Sequence, residues 1–296
     1  MDIRRFIQLA HVRKIPFLLF PLLFGLIYSL YQYDNAYWGK SIILMIAMVC
    51  FFLAIHLLKE WGYFQRAEDE QKQKETLVYQ LSIDMDELRK WLFILFGASF
   101  LLFAIVAFMV GWQFAIFLVV GIFCSIFYVY GKNPWMNTWL SEPIFSFGLG
   151  LLLPFIMLLA NTWQKTISIG ELWMQSTWMM LPLVFTFAIV ITAENTVRMQ
   201  QEEDIHPLVS YLHYSVIDGL LELFLFLAFV LPLFSIYLDL APWLVVLMWL
   251  VFPKAWMDLK KFIQKHHASK AFPYIQEIFE MIMMLQIIVY ALGLFF

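Results

Sequence analysis

The chain has 296 residues, of which 63% are hydrophobic and 14% charged, and its mean hydropathy is +0.79. Soluble domains average about 45–50% apolar and about 25% charged, so this composition excludes a water-soluble globule and an intrinsically disordered chain alike. A net charge of −3 offers no basic field for nucleic acid, and Cys50 and Cys124, both inside apolar runs, suggest neither a disulfide framework nor a zinc site.

Met1 to Phe6 is a charged start with no small-residue cleavage site behind it. The first apolar run therefore reads as a retained membrane helix rather than a signal peptide. A spanning helix needs about 20 mostly apolar residues to cross about 30 Å of hydrocarbon. About nine runs qualify, near residues 16–32, 41–59, 92–110, 113–130, 143–161, 178–194, 216–237, 240–253 and 275–296, the eighth being short. They are continuously apolar rather than alternating, which predicts helices and not a barrel. With the N-terminus inside and nine crossings, all of the 19 Lys and Arg residues except Lys40 and Lys165 fall on the inner side. The positive-inside rule then predicts a cytoplasmic N-terminus. The expected fold is an all-α integral membrane protein, one domain over residues 1–296, with its helices around a central cavity.

Three predicted inner loops are long: 60–91, 195–215 and 254–274. In the first, helix two is expected to continue past the membrane surface, placing Trp61, Gln65 and Asp69 on one face at four-residue spacing. Glu68, Asp69 and Glu70 form an acidic cluster, which a solvated helix end would also explain. Asp84 followed by Glu87 predicts the cap of helix three, with Ser82 as an alternative.

The second loop opens with Glu194 and Asn195 at the membrane boundary, then Arg198, then Glu202, Glu203 and Asp204. Polar and ionisable groups at that depth are costly and usually face the protein interior or a water-filled cavity. Asn195, Met199 and Glu203 share a helical face. In the third loop, Trp256, Leu259, Phe262 and Ile263 alternate with lysines, predicting an amphipathic interfacial helix against anionic lipid heads. The adjacent His266 and His267 point about 100° apart on a helix, a poor geometry for a shared metal. His56, within the second run, reads as a buried neutral imidazole, and Pro21, Gly25, Gly148, Gly150, Pro154, Pro182 and Pro232 as sites of kinks or close helix approach.

These two acidic loops, after helices two and six of nine, resemble the plan of the UbiA superfamily of membrane prenyltransferases, in particular the 1,4-dihydroxy-2-naphthoate polyprenyltransferases of menaquinone synthesis. The family's first motif is Asn-Asp-Tyr-x-Asp-x-x-x-Asp. Trp61 to Asp69 falls on it, with Tyr63 and Asp69 matching and Trp61, Gly62 and Gln65 differing. The second motif resembles Asn-Asn-Leu-Arg-Asp-x-x-x-Asp. Asn195 to Glu203 falls on it, with Asn195 and Arg198 matching, Glu203 a carboxylate substitute and Met199 in place of an aspartate. Tyr128 to Trp135, Leu140-Ser141-Glu142 through Phe147-Gly148, and Arg13 with Pro21 and Gly25 resemble further family segments.

The resemblance implies transfer of an isoprenyl group from a polyprenyl diphosphate to an aromatic or quinone-precursor acceptor at the cytoplasmic membrane, with Mg²⁺ as cofactor. Asp69 and Glu203 are the implied metal ligands, with Glu68, Glu202 and Asp204 beside them. Arg13, Tyr63, Gln65, Lys132, Asn195 and Arg198 are the implied diphosphate and substrate contacts. No residue is singled out as a catalytic acid or base. The missing aspartates leave open a non-catalytic descendant that binds isoprenoid, quinone or lipid. An unrelated transporter is a third reading, although intramembrane charge is sparse and no inverted repeat stands out.

Overall fold

The structure, a computed structural model, describes residues 3–67, 70–162, 168–200, 205–265 and 268–295. Among them there is no strand. In chain order the helices are α1 (Ile3–Leu9), α2 (Ile15–Tyr33), α3 (Trp38–Arg66), α4 (Glu70–Glu75), α5 (Leu77–Gln80), α6 (Met85–Val110) and α7 (Trp112–Val129). They continue with α8 (Ser141–Phe147), α9 (Leu153–Thr162), α10 (Ile169–Met199), α11 (Tyr214–Tyr237), α12 (Phe252–Gln264) and α13 (Phe272–Gly293). Two compact units result, one of residues 1–19 and 37–135, the other of residues 20–36 and 136–296.

In the first unit α3 packs chiefly on α6 and also on α7. Ala47, Met48, Phe51, Ala54 and Ile55 of α3 are buried, as are Leu92, Leu95, Ser99, Phe103 and Val106 of α6. Both sets repeat at three- and four-residue spacing, one stripe per helix. The Phe51 ring meets those of Phe96 and Phe103 at 5.9 and 5.8 Å. Phe93, Leu101, Phe108, Ile116 and Phe123 point outward, an apolar exterior that suits lipid and not water. Asp84 caps α6 as expected, its carboxylate accepting from the Asp86 amide at 3.2 Å. The alternative cap, Ser82, instead sits in the turn before it with φ +50°.

In the second unit α10 is the central rod, touching α8, α11 and α13. Between α8 and α9 the helix widens into a π turn over Gly148–Leu152, at glycines that the sequence marks as sites of a kink or close approach. Gly150 is obligatory there: a Cβ on it would lie 2.5 Å from Val184 Cα and 2.6 Å from Val184 N, inside the backbone of α10. Gly25 meets Pro154 in the same way, its ideal Cβ 2.3 Å from the Pro154 carbonyl oxygen. Pro21, Pro182 and Pro232 are all accommodated inside helices.

Among the described residues, eight helices are long and apolar enough to cross a membrane. The predicted span 240–253 is not one of them, and its course differs from the expectation. Trp243–Leu250 is a 3-10 helix, and α12 follows after one residue. The rises of about 2.0 and about 1.5 Å per residue give roughly 16 Å and roughly 20 Å for the two pieces. Phe229 of α11 contacts Trp249 and Phe252, at 6.1 and 5.1 Å, whereas Glu222, two turns nearer the start of α11, pairs with Lys260. The composite segment therefore runs antiparallel along α11. Lysines stud its second half, so no continuous apolar run covers its whole length.

Over 254–274 α12 is amphipathic, as expected, and its lysines also find partners within the protein. Ala255, Asp258, Leu259 and Phe262 form the buried stripe of α12. Asp258, fully buried, accepts from Lys254 and, at 3.0 Å, from Lys261. Lys254 also reaches Glu277 at 3.3 Å, and Lys265 donates to the Tyr274 hydroxyl at 3.2 Å. Burial pushes the Asp258 carboxyl up, but the hydrogen bonds and charges of Lys254 and Lys261 outweigh it and hold the group below the ordinary aspartate value. The Asp258 hydrogen bond in turn holds the Lys254 ammonium above its usual value. His266 and His267 lie outside the described residues.

Candidate functional site

The sequence motifs fall at the C-terminal ends of α3 and α10, one in each unit. In the first unit α3 runs unbroken into the first motif as far as Arg66, so the expected helical extension covers Trp61 and Gln65, and Asp69 lies outside the described residues. Gln65 is exposed and its Oε1 accepts the Tyr130 hydroxyl at 3.3 Å. Arg66 donates from Nη1 to the Gly131 carbonyl at 3.1 Å, and its Cζ lies 5.3 Å from the centre of the Tyr63 ring. Lys59 Nζ lies 5.6 Å from the same ring centre, so Tyr63 sits between two cations. The structure thus joins Gln65 and Arg66 to the 130–131 turn, with Tyr63 beside Arg66, and Lys132 follows that turn with its side chain exposed. Arg13 is exposed on the 3-10 turn Val12–Lys14.

His56 is half-buried rather than buried, with its ring edge-on to His11 at 5.3 Å and 4.3 Å from Phe52. His11 takes a left-handed conformation, φ 47°, and its Nε2 meets buried Glu60 at 3.0 Å. Neither His11 nor Glu60 carries a local signal. A depression of about 390 Å³ near the end of α3 is lined by Phe64, Val78, Tyr79, Ser82, Ile83 and Met85, and none of the predicted site residues among the described ones lines it.

In the second unit, Asn195 is fully buried near the end of α10. Its Nδ2 donates to Glu142 Oε1 at 2.9 Å and to Ser141 Oγ at 3.0 Å. Glu142, in the first turn of α8, is also buried. Its Oε2 accepts the Leu208 amide at 3.0 Å, and its Oε1 the Val209 amide at 3.4 Å. One carboxylate therefore ties α8, α10 and the segment after α10 together. Arg198 donates from Nη2 to Asn137 Oδ1 at 3.0 Å and from Nη1 to the Met136 carbonyl at 3.4 Å, while the His206 amide bonds the Asn137 carbonyl at 2.8 Å. Asn195 and Arg198 thus belong to one polar knot. Glu142 is its hub, although the sequence offered only a short family-like segment around it.

Glu68, Asp69, Glu202, Glu203 and Asp204 lie outside the described residues. Among the described residues no group of three or more His, Cys, Asp or Glu side chains could hold a metal ion. Within the second motif one atom does fit a hard cation: Asn195 Oδ1 is buried and accepts no hydrogen bond, as is also true of Gln113 Oε1 and Gln286 Oε1 outside the motifs. A carbonyl oxygen is the donor type that Mg²⁺ takes, whereas Met199, four residues on, offers only a soft thioether.

No protein-family model and no curated protein sequence matches the chain. Solved structures do. A UbiA homologue from Aeropyrum pernix K1 superposes with TM-score 0.68 at 11% identity, over 93% of this chain and 98% of that one. A digeranylgeranylglyceryl phosphate synthase of membranes gives 0.63 at 15%, over 97% and 98%. A UbiA homologue from Archaeoglobus fulgidus, bound to GPP and Mg²⁺, gives 0.62 at 10%, over 97% and 99%. At such identities the likeness is one of fold, and it extends over nearly the full length of each chain.

Proposed function

We propose that this multi-pass membrane protein is a UbiA-like prenyltransferase, moving an isoprenyl group from a polyprenyl diphosphate to an aromatic or quinone-precursor acceptor, with a depleted metal site. The observation that carries the reading is the near full-length likeness to a structure holding a prenyl diphosphate and Mg²⁺, on a chain whose motif segments end α3 and α10. Its coverage also supports residues 1–296 as one functional domain. The 1,4-dihydroxy-2-naphthoate branch, the cytoplasmic N-terminus and the cell membrane as location belong to the same proposal and rest on the sequence motifs and the distribution of basic residues.

Asp69, Glu203 and the Asn195 carbonyl are the groups assigned to Mg²⁺, with Glu68, Glu202 and Asp204 beside them. When bound, Mg²⁺ would neutralise charge on the leaving diphosphate. Arg13 and Lys132, both exposed, are the cations free to attract diphosphate. Arg198 and Gln65 already bond to Asn137 and Tyr130, so their part is to hold the turns at 136–137 and 130–131 in place.

A second reading, a non-catalytic binder of isoprenoid, quinone or lipid, is favoured by those same internal bonds, which leave few polar groups of the described motif free for substrate. Purified chain in detergent should bind geranyl diphosphate in a Mg²⁺-dependent way and, given 1,4-dihydroxy-2-naphthoate, yield a prenylated product. Binding without turnover selects the second reading. Binding indifferent to chelator and to Asp69→Ala removes the metal site.

A further inference from the structure

Asn195 has two kinds of polar atom, and the structure uses only one. Both oxygens of Glu142 accept N–H groups from the backbone of Leu208 and Val209, so the Asn195 atom that faces Oε1 is a donor, the amide nitrogen. Its second proton goes to Ser141. Nδ2 is thereby spent, and a diphosphate oxygen, itself an acceptor, finds no donor on this side chain. What remains is Oδ1, on a residue with 0% exposure and with no hydrogen bond. A buried carbonyl oxygen left without a partner costs free energy of its own, and only a donor or a cation relieves it.

We infer that Glu142 is a positioning residue. It fixes the Asn195 amide with the oxygen as its unspent atom, assigning Asn195 to the cation that accompanies the diphosphate rather than to the diphosphate itself, and it fastens the segment behind the second motif through Leu208 and Val209. This rests on the proposed function and supplies the positioning group behind the part Asn195 plays in it, in place of the diphosphate contact that the motif resemblance implies. Glu142 itself touches neither ion nor substrate.

The polarity of the pair makes the test specific. In Glu142→Gln only one oxygen remains: kept on the Leu208 amide, the shorter of the two backbone bonds, it leaves the new amide nitrogen in the place of Oε1, where it meets Asn195 Nδ2 and the more distant Val209 amide, donor against donor. The Asn195 amide must turn over and present its nitrogen. In the double variant Glu142→Gln with Asn195→Asp, the amide nitrogen introduced on α8 donates to one oxygen of the carboxylate introduced on α10, and the other oxygen again faces outward as an acceptor. The measurement is the Mg²⁺ concentration for half-maximal binding of geranyl diphosphate by the full chain in detergent. Glu142→Gln should raise it about tenfold or more, the usual scale when a ligand loses its orienting partner, and the double variant should return it toward the wild-type value. An unchanged value in Glu142→Gln overturns the inference, as does a double variant no better than the single. If Glu142→Gln does not fold, the double variant decides: retained Mg²⁺ dependence supports the assignment, and its loss, or failure to fold, overturns it. A wild-type chain with no Mg²⁺-dependent binding overturns the proposed function first, and this inference with it.

Discussion

Replacing Gly150 by alanine tests the packing of α10 against the π turn that follows α8. The added methyl would sit 2.5 Å from Val184 Cα, 2.6 Å from Val184 N and 2.9 Å from Leu183 C. All three are backbone atoms of α10, so no side chain can rotate away, and ordinary carbon contact near 3.5–4.0 Å requires the two segments to part by about 1 Å. Overpacking of this kind costs about 1–3 kcal/mol. Gly148, two residues earlier in the same turn, is the internal control, because nothing lies within 4 Å of its ideal Cβ. There alanine gains up to about 1 kcal/mol from helix propensity and a less free unfolded chain. Equilibrium unfolding in mixed micelles, read by tryptophan fluorescence, should therefore separate the two variants by about 2 kcal/mol or more, Gly148→Ala being the more stable. Equal stabilities would refute the argument that backbone contact sets the approach of these segments.

Two other outcomes follow from buried charge. The folded Asp258 carboxyl titrates below its ordinary value, so its contribution is fully present above the unfolded aspartate value of about 4 and is lost as pH falls through the folded one. Stability measured downward from pH 6 should drop in that acid window for the native chain, and the drop should shrink in Asp258→Asn. His11→Ala deprives Glu60, 6% exposed, of its imidazole partner. A loss of about 1–3 kcal/mol is expected, with faster proteolysis of the N-terminal residues; unchanged stability and cleavage would show that the pair holds nothing.

The parts of this fold that are legible in sequence are those governed by a local rule. Bilayer thickness sets the length of an apolar run, and eight such runs became helices of spanning length. The α6 cap was readable because Asp84 bonds an amide two residues on. Elements built on distant partners were not. Glu60 finds His11 across 49 residues, and Glu142 finds Asn195 across 53. No period or spacing announces such pairs. The carboxylate partners of the α12 lysines were hidden for the same reason, since Glu222 and Glu277 lie on other helices. Tyr63, Gln65, Asn195 and Arg198 were found through family-like motifs, but only the packing revealed that Gln65 and Arg198 are spent on the chain's own turns.

The tightly wound stretch Trp243–Leu250 carries one more consequence. Rewinding its eight residues at α-helical pitch would shorten it by about 4 Å. Everything downstream would then be drawn that distance along α11, and Lys260 would slip out of step with Glu222. The pair is thus a vernier mark: it shows the register at which the stretched strut lies along α11, a register the rings of Phe229, Trp249 and Phe252 hold as well.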